Sequence, residues 1–443
     1  MTSLTHTATT AAAPFSLQKP PEVDTGNATA DLRLTGDLDE PWRGFGACFN
    51  ELGWLALSKL NASLRKQTLD RLFDPAGEAR FEFCRLPIGA NDYSSDWYSL
   101  DETPGDFELH HFSIERDKIC LIPYIKEALK RRPDLTLFAS PWSPPTWMKR
   151  PAIYNGGSFI QEPRYWDAYA RYFLRFIEAY AAQGIRIAQI HVQNEPISRQ
   201  PFPSCVITGE EFRIFIGQYL GPLLVKHGCE TEVWLGTLNG PPSDERKFTT
   251  GFNEYANVVL QDPDARKYTK GVSYQWDGRN AVHRTRLAFP DVPLIQSENE
   301  CGDGANTWEY AWYVADLFHH YLSQGVSGYV YWNSVLEPNG ESTWGWRQNS
   351  LFTVDPQNGT ITPNAEYHIM RHYSAFVRRG DRRETCASAW AGNAIAFRRE
   401  SDGSAAVIVR NPFADARTIR IAEASRRWRV TLPAKSLNTI TLS

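Results

Sequence analysis

Two glutamates in this sequence each follow a short apolar stretch, and this placement suits acid–base and nucleophilic chemistry. Glu195 ends the stretch that begins at Ile187, and Glu298 ends a similar stretch about one hundred residues later. Such a run, stopping at polar residues, predicts a buried strand with a polar end, where a carboxylate needs partners or a chemical role. Two glutamates presented in this way are the groups that hydrolysis of a glycosidic bond requires. Taken singly, each is also compatible with an ordinary surface glutamate that follows a strand.

Strand and helix patterns alternate along the chain in a way that positions both glutamates. Eight strand patterns are each followed by a helical pattern or a long loop, which is typical of a (β/α)₈ barrel (TIM barrel). Active sites of such barrels lie at the C-terminal ends of the strands. The predicted strands are 44–49, 79–87, 135–140, 187–195, 232–238, 272–276, 294–298 and 328–332. The candidates that fall at their C-terminal ends are Asp92, Trp142, Glu195, Glu298 and Trp332.

A second domain is predicted near the C-terminus. From about residue 361, short alternating segments such as 394–398 and 405–410 are separated by Gly, Asp, Asn and Pro turns, a pattern typical of a β-sandwich. The strand pattern around Leu32 has no place in an eight-stranded barrel and is expected to pair into this sheet. The predicted organisation is a flexible leader at 1–22, a catalytic barrel at 44–360, and a β-sandwich formed by 23–43 and 361–443.

Composition narrows the class of partner. The 443 residues include 47 basic and 51 acidic side chains, and the formal charge of -4 gives no electrostatic basis for binding nucleic acid. Aromatic residues make up 13% of the chain, and their rings suit the apolar faces of sugars as well as a core. The seven cysteines include no CxxC pair, so reduced thiols are expected, with no metal and no cofactor. The expected partner is a carbohydrate substrate.

The sequence contains no evident signal for export or membrane insertion. The first residues are rich in Thr and Ala but lack the basic and apolar segments of a signal peptide. No apolar run is long enough for a transmembrane span. We therefore expect a cytoplasmic location, with secretion by an unrecognised route left open, and the oligomeric state is not determined by the sequence.

Six motifs, in this order and spacing, resemble those of glycoside hydrolase family 30, whose members include glucosylceramidases, β-1,6-glucanases, β-xylosidases and xylanases. The resemblance covers nearly the whole chain after the leader. The motifs are Gly-Phe-Gly-Ala at 44–47, Arg-Leu-Pro-Ile at 85–88, Ala-Ser-Pro-Trp-Ser-Pro-Pro-Thr-Trp-Met-Lys at 139–149, Gln-Asn-Glu-Pro at 193–196, Ser-Glu at 297–298 and Tyr-Trp-Asn-Ser-Val-Leu at 331–336.

The resemblance implies a retaining β-glycosidase with Glu298 as the nucleophile and Glu195 as the acid/base. It also implies that Asn194 hydrogen-bonds the sugar 2-hydroxyl and that Arg85 keeps Glu298 ionised with a low pKa. Glu195, as the acid, must instead stay protonated near neutrality. Burial or the nearby negative charge of Glu298 is required to raise the pKa of Glu195.

Further side chains are implied to surround the sugar. Asp92 would accept hydrogen bonds from hydroxyls, and Trp142 and Trp332 would pack on the ring, although core packing is an alternative for each indole. Trp344 lies in a long loop after the last predicted strand and is a candidate for the subsite that holds the leaving group.

One segment departs from the glucosylceramidase pattern. After the sixth predicted strand that branch has roughly His-Trp-Tyr, whereas this chain has Gln275, Trp276 and Asp277. The Tyr that would steady the nucleophile is missing. Either Tyr274 or Asp277 therefore has a changed role, or the site is shaped for another glycan, and Trp276 is a further candidate contact.

The favoured function is hydrolysis of β-linked glucosides or short β-glucans. A β-xylosidase or another exo-acting β-glycosidase of the same family is one alternative, and the groups around the C6 position of the sugar would separate it from the first. A catalytically silent carbohydrate-binding protein is the alternative from another class. The presence of both glutamates and Asn194 argues against it.

Overall fold

The eight predicted barrel strands form a closed parallel barrel in the computed structural model, which describes residues 4–240 and 254–443. The (β/α)₈ prediction is confirmed. Numbered in chain order, the barrel strands are β1 (Gly44–Cys48), β2 (Phe83–Ile88), β3 (Thr136–Pro141), β4 (Gln189–His191), β5 (Glu232–Leu238), β6 (Thr269–Gln275), β7 (Leu294–Glu298) and β8 (Gly328–Asn333).

Burial of the barrel strands explains their nearly continuous apolar sequences, because parallel strands are covered on both faces. Every residue of β1, β2, β7 and β8 is buried. Gly46 in β1 shows how closely adjacent strands approach, since a Cβ at this position would lie 1.8 Å from the carbonyl oxygen of Phe83 in β2. Glycine therefore lets β1 pack against the strand that carries Arg85.

Helices cover the outside of the barrel, mostly where the sequence predicts them. The helix expected at 210–227 contains a π-helical turn, Phe215–Leu220. The helix expected at 252–261 begins at Glu254 among the described residues, and 252–253 lie outside them. No helix in the described ranges is long and apolar enough to cross a bilayer. The α-helices are α1 (Glu51–Ser58), α2 (Ala62–Phe73), α3 (Leu121–Arg131), α4 (Pro163–Ala182), α5 (Gly209–Ile214), α6 (Gly221–Lys226), α7 (Glu254–Gln261), α8 (Pro263–Arg266), α9 (Val282–Ala288), α10 (Trp308–Ser323) and α11 (Ala365–Ser374).

A ten-stranded sheet forms the second domain. Leu32–Pro41 lies in its interior, antiparallel to Arg382–Ala387 and parallel to Arg417–Glu423. Side chains from both halves of the sheet, among them Leu32 and Val407, share one core, so the sheet folds over on itself. The predicted pairing of the strand near Leu32 with the C-terminal sheet is confirmed. The other strands are Thr5–Thr9, Ser16–Leu17, Glu22–Val23, Ala394–Arg398, Ala405–Asn411, Arg426–Leu432 and Ser436–Leu442.

The N-terminal residues belong to this sheet. Thr5–Thr9 pairs antiparallel with Ser436–Leu442, and a hydrogen bond of 2.9 Å joins His6 Nε2 to Asn438 Oδ1. The prediction of a flexible leader at 1–22 is therefore wrong for residues 4–22. The physical reason is that the last strand of the chain would otherwise leave a row of backbone donors and acceptors unpaired, and residues 5–9 satisfy them.

Residues 360–374 pack with the barrel and are not strands of the second domain. Thr360–Pro363 pairs with Phe352–Asp355 in a separate small sheet. In α11, the Tyr373 ring stacks on Phe318 of α10 with centroids 4.3 Å apart. The C-terminal part of the large sheet begins at Arg382–Ala387, later than the predicted start at 361.

Candidate active site

A cavity of about 390 Å³ lies at the C-terminal ends of the barrel strands, within the size range of small-ligand sites. Glu195, just after β4, and Glu298, at the end of β7, both line it. The structure thus brings the two carboxylates into one site. Five more of the residues predicted from the sequence line the same cavity: Asn194, Asp92, Trp142, Trp276 and Asp277.

Arg85 in β2 is the centre of a hydrogen-bond network at the base of the site. Its fully buried guanidinium donates from Nη1 to Glu298 Oε2 (2.8 Å) and from Nη2 to Asn194 Oδ1 (2.7 Å). Nε and Nη2 also donate to Ser140 Oγ, and the Trp142 ring lies 4.4 Å from the guanidinium carbon. Arg85 contacts Glu298 as the resemblance implies, and it is not among the residues that line the cavity. It acts through the two side chains that it holds.

Glu298 has a different partner on each oxygen. Arg85 binds Oε2, and the indole Nε1 of Trp276 donates to Oε1 at 3.0 Å. Burial raises the pKa of Glu298, and the charge of Arg85 together with these hydrogen bonds opposes the rise. The expectation of a low pKa is therefore wrong, because desolvation outweighs the ion pair. Since Arg85 bonds to Glu298 and not to Glu195, Glu298 is still the glutamate that carries the negative charge.

Among the described residues no cation bonds Glu195, and each of its oxygens receives an amide donor. Gln275 Nε2 donates to Oε1 (3.2 Å) and Gln200 Nε2 donates to Oε2 (2.9 Å). Burial, followed by the negative charge of Glu298, raises the pKa of Glu195 to about 7. A carboxyl with this pKa can carry a proton near neutrality, as an acid catalyst must.

Two residues of the site have positive φ angles although neither is glycine. Glu195 has φ 49° and Trp276 has φ 48°. Trp276 directly follows β6, and Glu195 lies a few residues after β4. This left-handed conformation is unfavourable for residues with a Cβ and is concentrated at functional sites. Both side chains line the cavity.

Asn194 is oriented by three donors on one atom. Its Oδ1 accepts from Arg85 Nη2 (2.7 Å), Thr237 Oγ1 (2.9 Å) and Gln275 Nε2 (3.2 Å). The amide nitrogen has no partner among the described residues, and Asn194 lines the cavity. Its N–H groups are therefore available to a ligand.

Asp92 lies at the end of a chain of side-chain amides. Asn91 donates to Asn50 (2.7 Å), Asn50 to Asn333 (2.8 Å), and Asn333 to Gln348 Oε1 (2.8 Å). Because Gln348 Oε1 accepts from Asn333, its Nε2 points toward Asp92 Oδ2, 3.5 Å away. Burial raises the pKa of Asp92 well above its ordinary value, and its Oδ1 has no partner within the described ranges. Asp92 and Gln348 therefore offer an acceptor and an oriented donor at one wall.

Two indoles form a stack at the base of the site. Trp142 and Trp332 lie with ring centroids 5.4 Å apart and an interplanar angle of 29°. Trp142 lines the cavity, whereas Trp332 is not among its lining residues. Trp332 is therefore a core-packing residue, which was the alternative to a sugar contact. Trp142 is the indole that faces the cavity.

Residues 42–377 match the model of the glycosyl hydrolase family 30 TIM-barrel domain. The chain belongs to glycosyl hydrolase family 30. The lysosomal acid glucosylceramidase of Mus musculus is 30% identical over 403 residues, which cover 83% of this chain and 74% of that protein. An endo-1,6-beta-D-glucanase of Neurospora crassa is 27% identical over 391 residues, covering 84% and 78%. The crystal structure of SrfJ from Salmonella typhimurium shares the fold, with a TM-score of 0.88 over 99% of both chains at 23% identity.

Membership of family 30 makes the protein a glycosidase that acts on a carbohydrate substrate, and the resemblance found in the sequence is confirmed. The segment after β6 is where this chain departs from the glucosylceramidase pattern. Tyr274 points out of the barrel, where its hydroxyl bonds Thr285 Oγ1 at 2.5 Å, so its prediction as a site residue is wrong. Asp277 lines the cavity, but it is Trp276 that bonds Glu298.

Trp344 lies outside the main cavity of this family 30 site. It packs against Phe202 (centroids 5.3 Å apart) and Trp346 (5.1 Å). Trp346 does line the main cavity, and Trp344 lines a neighbouring surface cavity. The predicted loop therefore reaches the site, with Trp346 as the nearer of its two indoles.

Several residues of the site were not expected from the sequence. Gln275 is the most connected of them, since it accepts from Arg85 Nη1 (3.2 Å) and Ser297 Oγ (3.0 Å) and donates to Asn194 and Glu195. The sequence feature that could have identified Gln275 is its place in the unusual Gln-Trp-Asp segment at the end of a barrel strand. The others come from loops, where periodicity gives no signal: Ile197, Ser198, Gln200, Phe202, Asn239, Trp346 and Gln348.

Proposed function

We propose that this protein is a retaining β-glycosidase that hydrolyses β-linked glucosides or short β-glucan oligosaccharides. The observation that carries the proposal is the unequal surroundings of the two glutamates. Glu298 forms an ion pair with the Arg85 cation. Glu195 is buried beside the negative charge of Glu298, and its pKa is raised to about 7. One carboxylate is thereby suited to attack and the other to carry a proton.

The reaction would proceed in two displacements. Glu298 attacks the anomeric carbon while the bond to the leaving oxygen breaks and Glu195 transfers its proton to that oxygen. A glycosyl–enzyme ester results. Glu195, now ionised, takes a proton from water, and the water oxygen attacks the anomeric carbon and releases Glu298.

The hydrogen bonds of the site support this sequence of steps. Because Oδ1 of Asn194 already accepts three hydrogen bonds, its amide N–H is the group that faces a sugar hydroxyl. A bond from Asn194 to the 2-hydroxyl would strengthen as the oxocarbenium-like transition state forms. Asp92 and Gln348 supply an acceptor and a donor to other hydroxyls of the same ring.

The choice of glucose rests on the relatives. Two of them are named a glucosylceramidase and an endo-1,6-beta-D-glucanase, and both names specify a glucosyl unit. A panel of aryl β-glucosides, aryl β-xylosides and defined β-linked oligosaccharides tests this choice. Faster turnover of a β-xyloside than of the matching β-glucoside would contradict it.

Substitution of the two glutamates tests the mechanism. Glu298→Gln and Glu195→Gln should each lower kcat on an unactivated β-glucoside by at least about 10²-fold to 10⁴-fold. Glu300→Gln is the matched control, since Glu300 lies close in sequence but does not line the cavity. Azide added to Glu195→Ala should restore turnover of substrates with good leaving groups and give a β-glycosyl azide. An α-azide as the product would contradict the role assigned to Glu195.

A further inference from the structure

One sequence motif, residues 139–149, ends at a lysine to which the proposed reaction assigns no role. Lys149 begins a short hairpin after β3, in which Lys149–Arg150 pairs antiparallel with Ser158–Phe159. Lys149 is only 2% exposed and is not among the residues that line the active-site cavity. Lysine is rarely buried in this way, so its surroundings must replace the water that the charged ammonium group loses.

No carboxylate in the described ranges forms an ion pair with Lys149. Burial lowers the pKa of its ammonium group to about 8, and the other titratable groups around it, Cys205 and Glu102, oppose this change. The thiol of Cys205 is itself buried, which raises its pKa to about 12, so it supplies no countercharge. Neutral oxygen atoms must therefore hold the ammonium group.

The ammonium group of Lys149 joins the segments that follow β3 to the segment that follows β4. Nζ donates to Ser143 Oγ (2.7 Å) and to the carbonyl oxygens of Ile153 (2.8 Å), Tyr154 (2.9 Å) and Ser204 (2.7 Å). Its three protons are shared among these four acceptors. Hydrogen bonds from a charged donor are stronger than those from a neutral one, so this junction is a firm one.

Ser204 extends the junction to the carboxyl group of Glu195. Its backbone N–H donates to the Tyr154 carbonyl, which Lys149 also binds, at 3.0 Å. Its hydroxyl oxygen accepts from the backbone N–H of Gln200 at 3.1 Å. The side chain of Gln200 then donates to Glu195 Oε2 at 2.9 Å. A series of direct hydrogen bonds therefore connects the ammonium group to the proposed acid/base.

The loop that carries Gln200 depends on these contacts for its course. Between β4 and α5 the described backbone forms no helix and no regular strand. Isolated β-bridges at Pro203 and Val206 join it to residues 155–158, which belong to the hairpin that Lys149 begins. Gln200 itself is only partly buried, so packing alone does not fix its side chain.

We propose that Lys149 is a positioning residue for the acid/base: its ammonium group fixes Ser204, and Ser204 holds Gln200 against Glu195. The inference rests on the acid/base role that the proposed function gives to Glu195. Because Lys149 does not line the cavity, it influences the reaction through the loop and not through the substrate. An ammonium group that only stabilised the fold would leave the titration of Glu195 unchanged.

Lys149→Met tests the connection through the pH profile of kcat/KM on an aryl β-glucoside. Methionine has a similar length but no N–H, so Ser204 and Gln200 lose their fixed positions. The Glu195 carboxylate then loses a donor, and the basic limb should move to higher pH by up to about one unit, as in Gln200→Met. Gln200→Met added to Lys149→Met should cause no further shift, because both changes remove the same hydrogen bond. Lys126→Met, on the exposed face of α3, is the control and should leave the limb in place.

Ser204→Ala provides a second variant in case loss of the buried ammonium group prevents folding. Alanine keeps the carbonyl that Lys149 binds and removes only the hydroxyl that binds Gln200, so the same shift is expected, again with no addition from Gln200→Met. A basic limb that stays in place in either folded variant would overturn the proposal. Shifts that add in the double variants would also overturn it, since the lost charge would then act through space. If instead the proposed function is wrong, Glu195→Gln itself would keep near wild-type turnover.

Discussion

Trp276 donates its indole N–H to Oε1 of Glu298 at 3.0 Å, while Arg85 binds the other oxygen. The proposed nucleophile is thus held at both oxygens, by Arg85 from within β2 and by Trp276 directly after β6. The sequence indicated that a tyrosine expected at this place is missing. The structure shows a different aromatic side chain, one position earlier in the chain, bonding the carboxylate.

Trp276→Phe is expected to weaken the nucleophile, because phenylalanine keeps an aromatic ring but has no N–H group. A hydrogen bond to a charged group contributes about 1.5–3 kcal/mol, so kcat/KM should fall about tenfold to 10²-fold. Loss of a donor to the carboxylate also raises the pKa of Glu298 further, which moves the acidic limb of the kcat/KM profile to higher pH. A pH profile on an aryl β-glucoside measures both effects. Trp390→Phe in the sheet domain is the control, and an acidic limb that does not move would contradict the assignment.

Of the two side-chain amides that donate to Glu195, the one that can rotate away from the carboxyl group is that of Gln200. The amide of Gln275 is fixed because its oxygen accepts from Arg85 and Ser297, so its N–H must face Glu195 Oε1. Gln200 is only partly buried, and its oxygen has no partner among the described residues. We therefore expect the catalytic proton on Oε2, the oxygen that faces Gln200.

Gln200→Met should move the basic limb of the kcat/KM profile above the pKa of about 7 of Glu195. Methionine has a similar length but no N–H, so the carboxylate loses a stabilising bond and its pKa rises, by up to about one unit. The other charged or titratable groups near Glu195, which are Glu298, Arg85, Asp92 and Cys301, are unchanged in this variant. A basic limb that stays in place or moves to lower pH would refute the placement of the proton.

Glu195→Gln should stabilise the protein at high pH. The pKa of Glu195 is about 7 in the folded protein and about 4.3 in an unfolded chain. The folded state therefore binds more protons between these values, and stability is lost as pH rises through that window. Replacement by glutamine removes this loss, which is on the order of 3 to 4 kcal/mol at pH 8 and close to zero near pH 4.

Urea unfolding at the two pH values measures the difference. Glu178→Gln is a matched control, because Glu178 is exposed on α4. A gain in stability that is equal at both pH values would show that the buried charge is not its source.

The sequence was sufficient for the barrel and for both glutamates, because strands that end in polar residues at regular spacing are a local pattern. The same local pattern also fixes the direction in which Tyr274 points. Side chains alternate across a strand, so Gln275 at the inner face of β6 requires Tyr274 to face outward, where it bonds Thr285. The sign of the pKa shift of Glu298 depended on burial, which no short motif specifies.

Residues brought in by loops were beyond prediction from periodicity. Gln200, Trp346 and Gln348 reach the site from segments whose course is set by tertiary packing. Gln348 is oriented by Asn333, which belongs to β8. The pairing of residues 5–9 with the last strand joins the two ends of the chain, and neither segment alone contains a signal for the other.

Thr9 provides a test of that pairing. His372 in α11 is buried between hydroxyls, with Nδ1 2.8 Å from Thr439 Oγ1 and Nε2 2.8 Å from Thr9 Oγ1. Because the Thr439 hydroxyl donates to the carbonyl of His372, it accepts from Nδ1, and Nε2 must accept from Thr9. Thr9→Val has nearly the same shape but leaves this nitrogen unpaired, so it should cost about 1–3 kcal/mol of unfolding free energy. Thr10→Val, whose hydroxyl makes only an exposed contact, should cost less than about 0.5 kcal/mol.

Deletion of residues 1–10 extends the same argument to the whole strand. It removes the backbone ladder to Ser436–Leu442 as well as the partner of His372, so the loss of stability should exceed that of Thr9→Val. Deletion of residues 1–3 is the control. Urea unfolding gives the free energies, and kcat/KM at a temperature well below the midpoint should stay near the wild-type value, because this strand does not line the cavity. If deletion of residues 1–10 left the unfolding midpoint unchanged, the N-terminal segment would be the loose leader that the sequence had indicated.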